Sequence, residues 1–418
     1  MGQTPGITRR ATARARRVDR LPELFGLKPG LNAERLLDEL SVMLVGVGSV
    51  GATAALSLAR LHVGRLVLVD RGQFKPASLL TQPVGEESVG EPKASHIAGW
   101  CRRISPRTKV EAFDDPLQEI PISRMAGHQM VIGAGDNLTL ARDLGQRCLR
   151  VGVPLLTAAV YGASLTVQTK VFAGDAVDSP CPACSFGAME RRMMEEEQLW
   201  SCEGARGPAA NGQSGIGDAT MSLRPLCAVA GEMAALLAVR WQLQLGASLA
   251  NTMTEFSGYT WRTFVTPLRR NPACVCHHER WQRIEWPRPL ADSTPQELLE
   301  AHGLRARATT SAALFALDRH RWVERGLCRC AESVPVQRFV EISGKRLPQC
   351  RRCRREIQPQ PFYSHESINA ERLGTALHEP LRRLGAVAVR DVTVTQDERT
   401  TWYTNHPAEP RPTKGSRP

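Results

Sequence analysis

Apolar runs and amphipathic segments alternate along the first two thirds of the chain. Four of the runs have the length and composition of buried strands, and segments with helical spacing separate them. These strands are SVMLV from residue 41, RLVLVD from 65, MVIGAGD from 130 and VPLLTAAV from 153. Buried strands that alternate with helices are typical of a parallel sheet covered on both faces. The pattern therefore predicts an α/β fold with a doubly wound sheet.

A Pro-rich segment near residues 287–296 interrupts this pattern. Before it, apolar spacing predicts a long helix over 222–245 and strands over 254–268. After it come a helical stretch, a Cys-rich stretch and a mixed tail, which favour an α+β domain. We therefore expect a basic N-terminal segment over 1–30, a main domain over 31–287 and a C-terminal domain over 288–418.

Charge and hydropathy argue against membrane, secreted and nucleic-acid-binding proteins. No apolar run approaches the roughly 18 residues of a membrane span, and the N-terminus lacks the apolar core of a signal peptide. We therefore expect a cytoplasmic protein that does not bind membranes. The formal net charge is +12, and six arginines lie in the first twenty residues. Because basic residues elsewhere are not interleaved with aromatics, we expect a solvated tail rather than a nucleic-acid partner.

A Gly-x-Gly-x-x-Gly motif joins the first predicted strand to a helix. Its members are Gly46, Gly48 and Gly51. Glycines at these positions allow a tight turn and let a phosphate approach backbone N–H groups. Asp70 ends the next strand, nineteen residues after Gly51, where a carboxylate can bind both ribose hydroxyls. Strand, motif, helix and carboxylate together predict a Rossmann-like nucleotide site.

Two further residues favour a triphosphate over a dinucleotide at this site. Asp136 follows a predicted strand at the carboxyl edge of the sheet, where it can hold Mg²⁺ on a triphosphate. Lys93 opens another helix and can neutralise charge on the phosphates. The alternative for both residues is a surface charge or a helix cap. An NAD-dependent oxidoreductase is the alternative for the glycine motif alone.

Eight of the twelve cysteines fall in four close pairs. The pairs are Cys181/Cys184, Cys274/Cys276, Cys328/Cys330 and Cys350/Cys353. Structural Zn²⁺ takes four S or N ligands, which two such pairs supply. The sequence therefore predicts one zinc site in each domain, with clustered buried thiols as the alternative. At the first site, Cys276 is favoured over His277 as the fourth ligand.

These features together resemble the ubiquitin-activating-enzyme-like adenylyltransferases, the family of ThiF, MoeB and HesA. The resemblance covers about residues 17–280 and rests on VGVGSVG, LVLVD, PVGEESVGEPKA, GAGDN, CPAC and CVC. It implies that ATP·Mg²⁺ is bound and that the C-terminal glycine of a ubiquitin-like or sulfur-carrier protein is adenylated. It also implies a structural zinc, a nucleotide contact from Gln82, and a homodimer in which Arg20 reaches the partner subunit's ATP.

The sequence departs from this family at three positions. Thr81 stands where the family has a phosphate-binding arginine, Ser78 where it has asparagine, and Gly72 where it has a second acidic residue. Arg71 and Lys75 are the candidate substitutes for the missing arginine. The departures indicate a divergent branch of the family.

The resemblance also implies a cysteine that handles the activated carrier. It places this cysteine between the first zinc pair and the following long helix, where residues 199–218 form a Gly-rich crossover segment. Cys202 lies in that segment and is favoured, Cys227 is the second candidate, and an enzyme without any thioester is the third possibility. A thiol at such a position can attack the acyl-adenylate. We expect a thioester on Cys202 and transfer to a conjugating enzyme.

Three other functions stay open at this point. The first is activation of a sulfur carrier for thiamin or molybdopterin synthesis without conjugation, against which the added C-terminal zinc domain argues. The second is an NAD-dependent oxidoreductase. The third is a zinc-dependent nucleic-acid-binding module, because arginines surround the Cys350/Cys353 pair and an arginine is missing at Thr81.

Overall fold

The computed structural model describes residues 32–135, 137–174, 178–192, 194, 222–304, 313–342, 347–397 and 399–405. Arg20, Asp136 and Cys202 lie outside these ranges, and their roles stay predictions. The chain forms two compact units. The first contains the described residues up to Asp115 and those of His128–His278, and the second contains Pro116–Gly127 and the described residues from Glu279 onward. The boundary therefore falls before position 288, and residues 116–127 join the second unit.

An eight-stranded sheet forms the centre of the first unit. Its strands are β1 Ser41–Val45, β2 Arg65–Val69, β3 Lys109–Phe113, β4 Met130–Gly133, β5 Leu155–Tyr161, β6 Thr166–Phe172, β7 Thr252–Ser257 and β8 Arg262–Pro267. The spatial order is β3-β2-β1-β4-β5-β6-β7-β8. Strands β1 to β5 pair in parallel, whereas β6, β7 and β8 continue antiparallel. The Rossmann-like sheet is confirmed for the parallel half, and the whole sheet is mixed.

Burial explains why the central strands are so apolar. Every residue of β1 is buried, because β1 lies between β2 and β4 and is covered on both faces. The helices of this unit include α1 Ala33–Asp38, α2 Ser49–Arg60, α3 Lys93–Ile104, α4 Leu138–Val151 and α5 Arg224–Leu243. Helices α2, α3 and α4 each follow a parallel strand, which is the chain order of a doubly wound fold.

Helix α5 lies in the core and packs closely against α2. A Cβ atom added at Gly231 of α5 would lie 2.6 Å from Cβ of Thr53 of α2, so only glycine permits this approach. Among the described residues, α5 is the one helix whose length and apolar composition would allow it to cross a membrane. However, 56% of its most apolar 18-residue stretch is buried inside the protein. A buried core helix passes that test equally well.

The second unit contains two smaller sheets. Its elements are β9 Gln282–Glu285, α6 Pro295–Ala301, β10 Leu314–Leu317, β11 His320–Cys328, β12 Ala331–Glu341, β13 Gln358–Pro359, β14 Ser364–His365, β15 Ser367–Asn369, α7 Ala370–Leu373, β16 Asp391–Gln396 and β17 Arg399–Thr404. One sheet has the order β15-β10-β16-β17-β9, and the other has β12-β11-β13 with β14 also paired to β11. Buried aromatic side chains of Phe315, Trp322 and Tyr403 fill its core.

Helix α6 begins at the end of the Pro-rich segment, with Thr294 as its N-terminal cap. The side chain of Thr294 accepts a hydrogen bond from the backbone N–H of Glu297, while the Glu297 side chain accepts from the backbone N–H of Thr294. This reciprocal capping box, with Pro295 at the first helical position, fixes the beginning of α6.

Candidate functional site

The glycine motif forms the loop between β1 and α2, at the carboxyl edge of the parallel strands. Gly46 has a φ of +89°, and a Cβ there would lie 2.8 Å from the backbone nitrogen of Gly135. A Cβ at Gly51 would lie 1.9 Å from the carbonyl oxygen of Gly46. Gly48 differs, because a Cβ there would meet nothing within 4 Å. Two glycines therefore close the turn, and the third leaves open space where a phosphate can approach.

Asp70 fastens this loop from the end of β2. Its Oδ2 accepts a hydrogen bond from the backbone N–H of Val47 at 2.6 Å, and its Oδ1 accepts from the N–H of Gly72 at 2.7 Å. Each carboxylate oxygen keeps a further lone pair. Asp70 thus positions the glycine motif, and it has acceptor capacity left for the predicted ribose contact.

Lys93 lies close to Asp70 at the start of α3. Its backbone N–H donates to the carbonyl oxygen of Gly72 at 2.9 Å. A Cβ built on Gly72 would lie 3.0 Å from Oδ1 of Asp70 and 3.6 Å from Cε of Lys93. The glycine at position 72 therefore leaves room between the lysine chain and the carboxylate, at the edge where a nucleotide is expected.

Gln82 carries a buried acceptor without a protein partner. Its backbone N–H donates to the carbonyl oxygen of Ser78 at 2.8 Å. Its Oε1 is buried and accepts no hydrogen bond from the residues the structure describes. A buried polar atom without a partner costs about 1–3 kcal/mol, so this oxygen is suited to a donor supplied by a ligand. The observation fits the nucleotide contact predicted for Gln82.

Arg224, at the start of α5, reaches the segment that contains Thr81. Its Nη1 donates to Oγ1 of Thr53 at 3.0 Å and to the carbonyl oxygen of Thr81 at 3.3 Å. The hydroxyl of Ser49, the first residue of α2, donates to Oγ1 of Thr81 at 2.7 Å. Sequence reasoning missed Arg224, because 143 residues separate it from Thr81. Arg71 and Lys75, the substitutes that the sequence suggested for the arginine missing at Thr81, are both exposed.

The first cysteine cluster has the dimensions of a tetrahedral zinc site. Sγ of Cys181 lies 3.9 Å from Sγ of Cys184 and 3.7 Å from Sγ of Cys274. Nε2 of His278 lies 3.5 Å from Sγ of Cys184. Tetrahedral Zn²⁺ with Zn–S of about 2.3 Å and Zn–N of about 2.0 Å places its ligand atoms about 3.5–3.8 Å apart. These four residues therefore can hold zinc.

His278 lies in the first cluster, for which the sequence predicted Cys276 as the fourth ligand. Nδ1 of His278 donates to the carbonyl oxygen of Ser179 at 3.0 Å, which leaves Nε2 as the ligand atom. The Cys276 backbone N–H donates to Sγ of Cys274 at 3.5 Å, and Sγ of Cys276 lies 4.0 Å from the carbonyl oxygen of Arg142. The four-ligand group contains neither Cys276 nor His277. His278 therefore completes a four-ligand group that the sequence did not predict, while the Cys276 thiol lies beside it, bonded to the Cys181 thiol, and stays the ligand predicted from the sequence.

The second cluster brings together all four of its predicted cysteines. Sγ of Cys328 lies 3.4 Å from Sγ of Cys330 and 3.3 Å from Sγ of Cys353, and Sγ of Cys330 lies 3.5 Å from Sγ of Cys350. Hydrogen bonds from the backbone N–H groups of Cys353 and Arg352 lower the pKa of Cys350 to about 6, whereas hydrogen bonds with the neighbouring thiols of Cys328 and Cys350 raise the pKa of Cys330 to about 12. Zn²⁺ binds thiolates, so this tight group fits a structural zinc.

Cys101, Cys148 and Cys227 are buried and are poor nucleophiles. Burial raises the pKa of Cys101 to about 12 and raises the pKa of Cys148 and Cys227. Cys227 is 1% exposed and belongs to the core around α5. Because a thiolate is the reactive form of cysteine, burial counts against Cys227 as the residue that forms a thioester.

Comparisons with known proteins show which proteins this chain resembles. The chain is 33% identical over 147 residues to the SAMP-activating enzyme E1 of Haloferax volcanii, which is 35% of this chain and 53% of that protein. It is 26% identical over 246 residues to the molybdopterin-synthase adenylyltransferase of Salmonella typhimurium, covering 58% of this chain and 89% of that protein. The chain thus spans about half the length of the Haloferax relative.

A crystal structure of Escherichia coli MccB with succinimide is a similar solved structure, at 15% identity and a TM-score of 0.46, covering 58% of this chain and 68% of that chain. The family match is more extensive. Residues 25–276, more than half of the chain, match the ThiF family. The glycine loop, Asp70, Lys93 and the three cysteines of the first cluster all lie within this range. The protein therefore belongs to the ThiF family.

Proposed function

We propose that the protein uses ATP to adenylate the C-terminal glycine of a ubiquitin-like or sulfur-carrier protein. One observation carries the proposal. In a chain of the ThiF family, the open face at Gly48, the carboxylate of Asp70 and the side chain of Lys93 lie at one carboxyl edge of the sheet. That edge is where ligands bind in open α/β sheets.

The proposed reaction needs positioning and charge neutralisation more than covalent help. A carboxylate oxygen of the acceptor glycine attacks the α-phosphorus of ATP. The bond between the α-phosphorus and the bridging oxygen breaks, pyrophosphate leaves, and an acyl-adenylate forms. Lys93 neutralises charge on the phosphates, and Asp70 and Gln82 orient the nucleoside. Asp136, outside the described residues, is proposed to hold Mg²⁺, which would offset the charge of the triphosphate.

The later steps are proposed from the sequence. Cys202 attacks the acyl carbon of the adenylate, AMP leaves, and the thioester passes to a conjugating enzyme. The protein acts in the cytoplasm as a homodimer in which Arg20 reaches the partner subunit's ATP. The buried position of Cys227 supports Cys202 as the better candidate thiol. Zinc held by the two cysteine clusters has a structural role.

Activation of a sulfur carrier without conjugation is the second candidate function. The similarity to a molybdopterin-synthase adenylyltransferase over 58% of this chain favours it. The two candidates share the adenylation step and diverge after it. They therefore predict different products, a protein thioester in one case and a thiocarboxylate in the other. Membership of the ThiF family counts against the oxidoreductase and the nucleic-acid-binding module.

Exchange of labelled pyrophosphate into ATP, dependent on a carrier protein ending in glycine, tests the adenylation step. NADH binding without exchange for any carrier would refute the proposal. Wild type and Cys202→Ala are then compared on non-reducing gels. We expect a thiol-sensitive adduct in the wild type alone, with exchange retained in Cys202→Ala. An adduct that survives the substitution moves the assignment to Cys227, and a thiocarboxylate product assigns the sulfur-carrier pathway.

A further inference from the structure

Arg224 is a half-buried cation whose hydrogen bonds to the described residues go to two neutral oxygens. It donates to the hydroxyl of Thr53 and to the carbonyl oxygen of Thr81. Within the described ranges it forms no ion pair with a carboxylate. A half-buried guanidinium offers five N–H donors, and two neutral acceptors leave most of them unused. The side chain is therefore available to an anion.

The surroundings of Arg224 raise the cost of leaving this charge without a counter-ion. Thr53 lies in the second turn of α2, and the N-terminus of a twelve-residue helix carries a partial positive charge. Neither α2 nor α5 has an acidic residue in its first turn. The guanidinium adds positive charge near this end of α2, and a bound anion would be attracted by both.

The hydrogen bonds join Arg224 to the glycine loop. Ser49, the residue after Gly48, donates to the side chain of Thr81, whose backbone oxygen accepts from Arg224. The guanidinium is thus linked through Thr81 to the loop whose open face is at Gly48. A planar guanidinium with several free donors matches the oxygens of a phosphate group.

We propose that Arg224 is the cation that binds the polyphosphate of ATP in this protein. It would act from the start of α5, where its Nη1 donates to the backbone oxygen of Thr81. The inference rests on the proposed adenylation activity and names the residue that would hold the leaving pyrophosphate. Arg71 and Lys75 are exposed and are not needed for this role.

Binding of ATP and of adenosine to Arg224→Gln and Arg224→Lys tests the proposal. Glutamine removes the charge but keeps an N–H donor and the first part of the side chain, whereas lysine keeps the charge. We expect Arg224→Gln to weaken ATP binding by about 10- to 100-fold and to leave adenosine binding unchanged, while Arg224→Lys loses less. The exposed Arg262→Ala on β8 is the matched control and should bind both ligands as the wild type does.

A second variant keeps the test independent of folding. Arg224→Ala combined with Thr81→Arg moves the cation back to position 81, and we expect it to bind ATP more tightly than Arg224→Ala alone. Equal loss of ATP and adenosine binding in Arg224→Gln would show a purely structural role and overturn the proposal, as would unchanged ATP binding. Failure of the wild type to bind ATP at all would instead refute the proposed function.

Discussion

The second unit contains two neighbouring acidic residues, the buried Asp391 and the half-buried Asp318, that make its stability depend on pH. Burial, and then the nearby charge of Asp391, raise the pKa of Asp318 from 3.8 to about 7. Oδ1 of Asp318 accepts from the backbone N–H groups of Arg390 and Asp391, at 3.1 and 2.9 Å, and the charge of Arg319 opposes the rise in pKa. The folded unit therefore favours the protonated form of Asp318.

The sign of the effect follows from the bound protons. Between pH 4 and about 7 the folded state holds a proton on Asp318 that the unfolded chain has released. Stability is therefore greatest at the acid end and falls as pH rises through this window, by at most about 1.4 kcal/mol per pH unit. The pKa of Asp318 differs between 3.8 in the unfolded chain and about 7 in the folded unit, which corresponds to about 4 kcal/mol of unfolding free energy.

The substitution Asp318→Asn removes this titration and keeps the acceptor oxygen. We expect Asp318→Asn to match the wild type near pH 4 and to be more stable by up to about 4 kcal/mol at pH 8. Urea unfolding followed by tryptophan fluorescence at several pH values measures the difference. Hydrogen exchange of peptides from β10 and β16 assigns the transition to the second unit.

Asp391→Asn is the contrasting control. Oδ2 of Asp391 accepts from the backbone N–H and the hydroxyl of Ser123, and its Oδ1 accepts from Nε1 of Trp402. An amide nitrogen would face a donor in place of one of these oxygens, so we expect a loss of stability at every pH. A constant difference between the wild type and Asp318→Asn from pH 4 to 8 would refute the reasoning.

Three further predictions concern zinc and the glycine loop. His278→Ala should lose about one zinc per chain by elemental analysis and Cys276→Ser should lose none; the reverse result would restore Cys276 as the ligand. Cys353→Ser should lose the other zinc and lower the thermal midpoint by more than about 5 °C, and an unchanged midpoint would contradict a structural role. Gly51→Ala should cost about 1–3 kcal/mol of stability, whereas Gly48→Ala should fold normally and bind ATP weakly; equal melting temperatures would contradict the clash at Gly51.

Local sequence predicted the parts of the site that lie close together along the chain. The glycine spacing predicted the loop between β1 and α2, because the backbone at Gly46 and Gly51 passes too near other backbone atoms for any Cβ. Asp70 was placed at the end of β2 by the same pattern. The four cysteines of the second cluster were predicted from two close pairs, since each pair lies on one tight turn.

Other parts of the site depend on contacts between distant segments. Arg224 reaches Thr81 because α5 packs against α2 at Gly231, and no local pattern records that packing. The grouping of residues 116–127 with the second unit also depends on distant contacts, since Ser123 donates a hydrogen bond to Asp391, 268 residues later. His278 joins the first cysteine cluster through the direction of its side chain, which spacing alone does not encode.

The sequence by itself determined the strand and helix pattern, the turn that only glycine can make, and the zinc-type cysteine pairs. Each of these is set by backbone sterics or ligand chemistry within a few neighbouring residues. The tertiary structure placed Arg224 beside position 81, brought His278 to the first cysteine cluster, and put Asp318 next to Asp391 in the second unit. Those placements depend on contacts and burial that arise only after distant segments pack together.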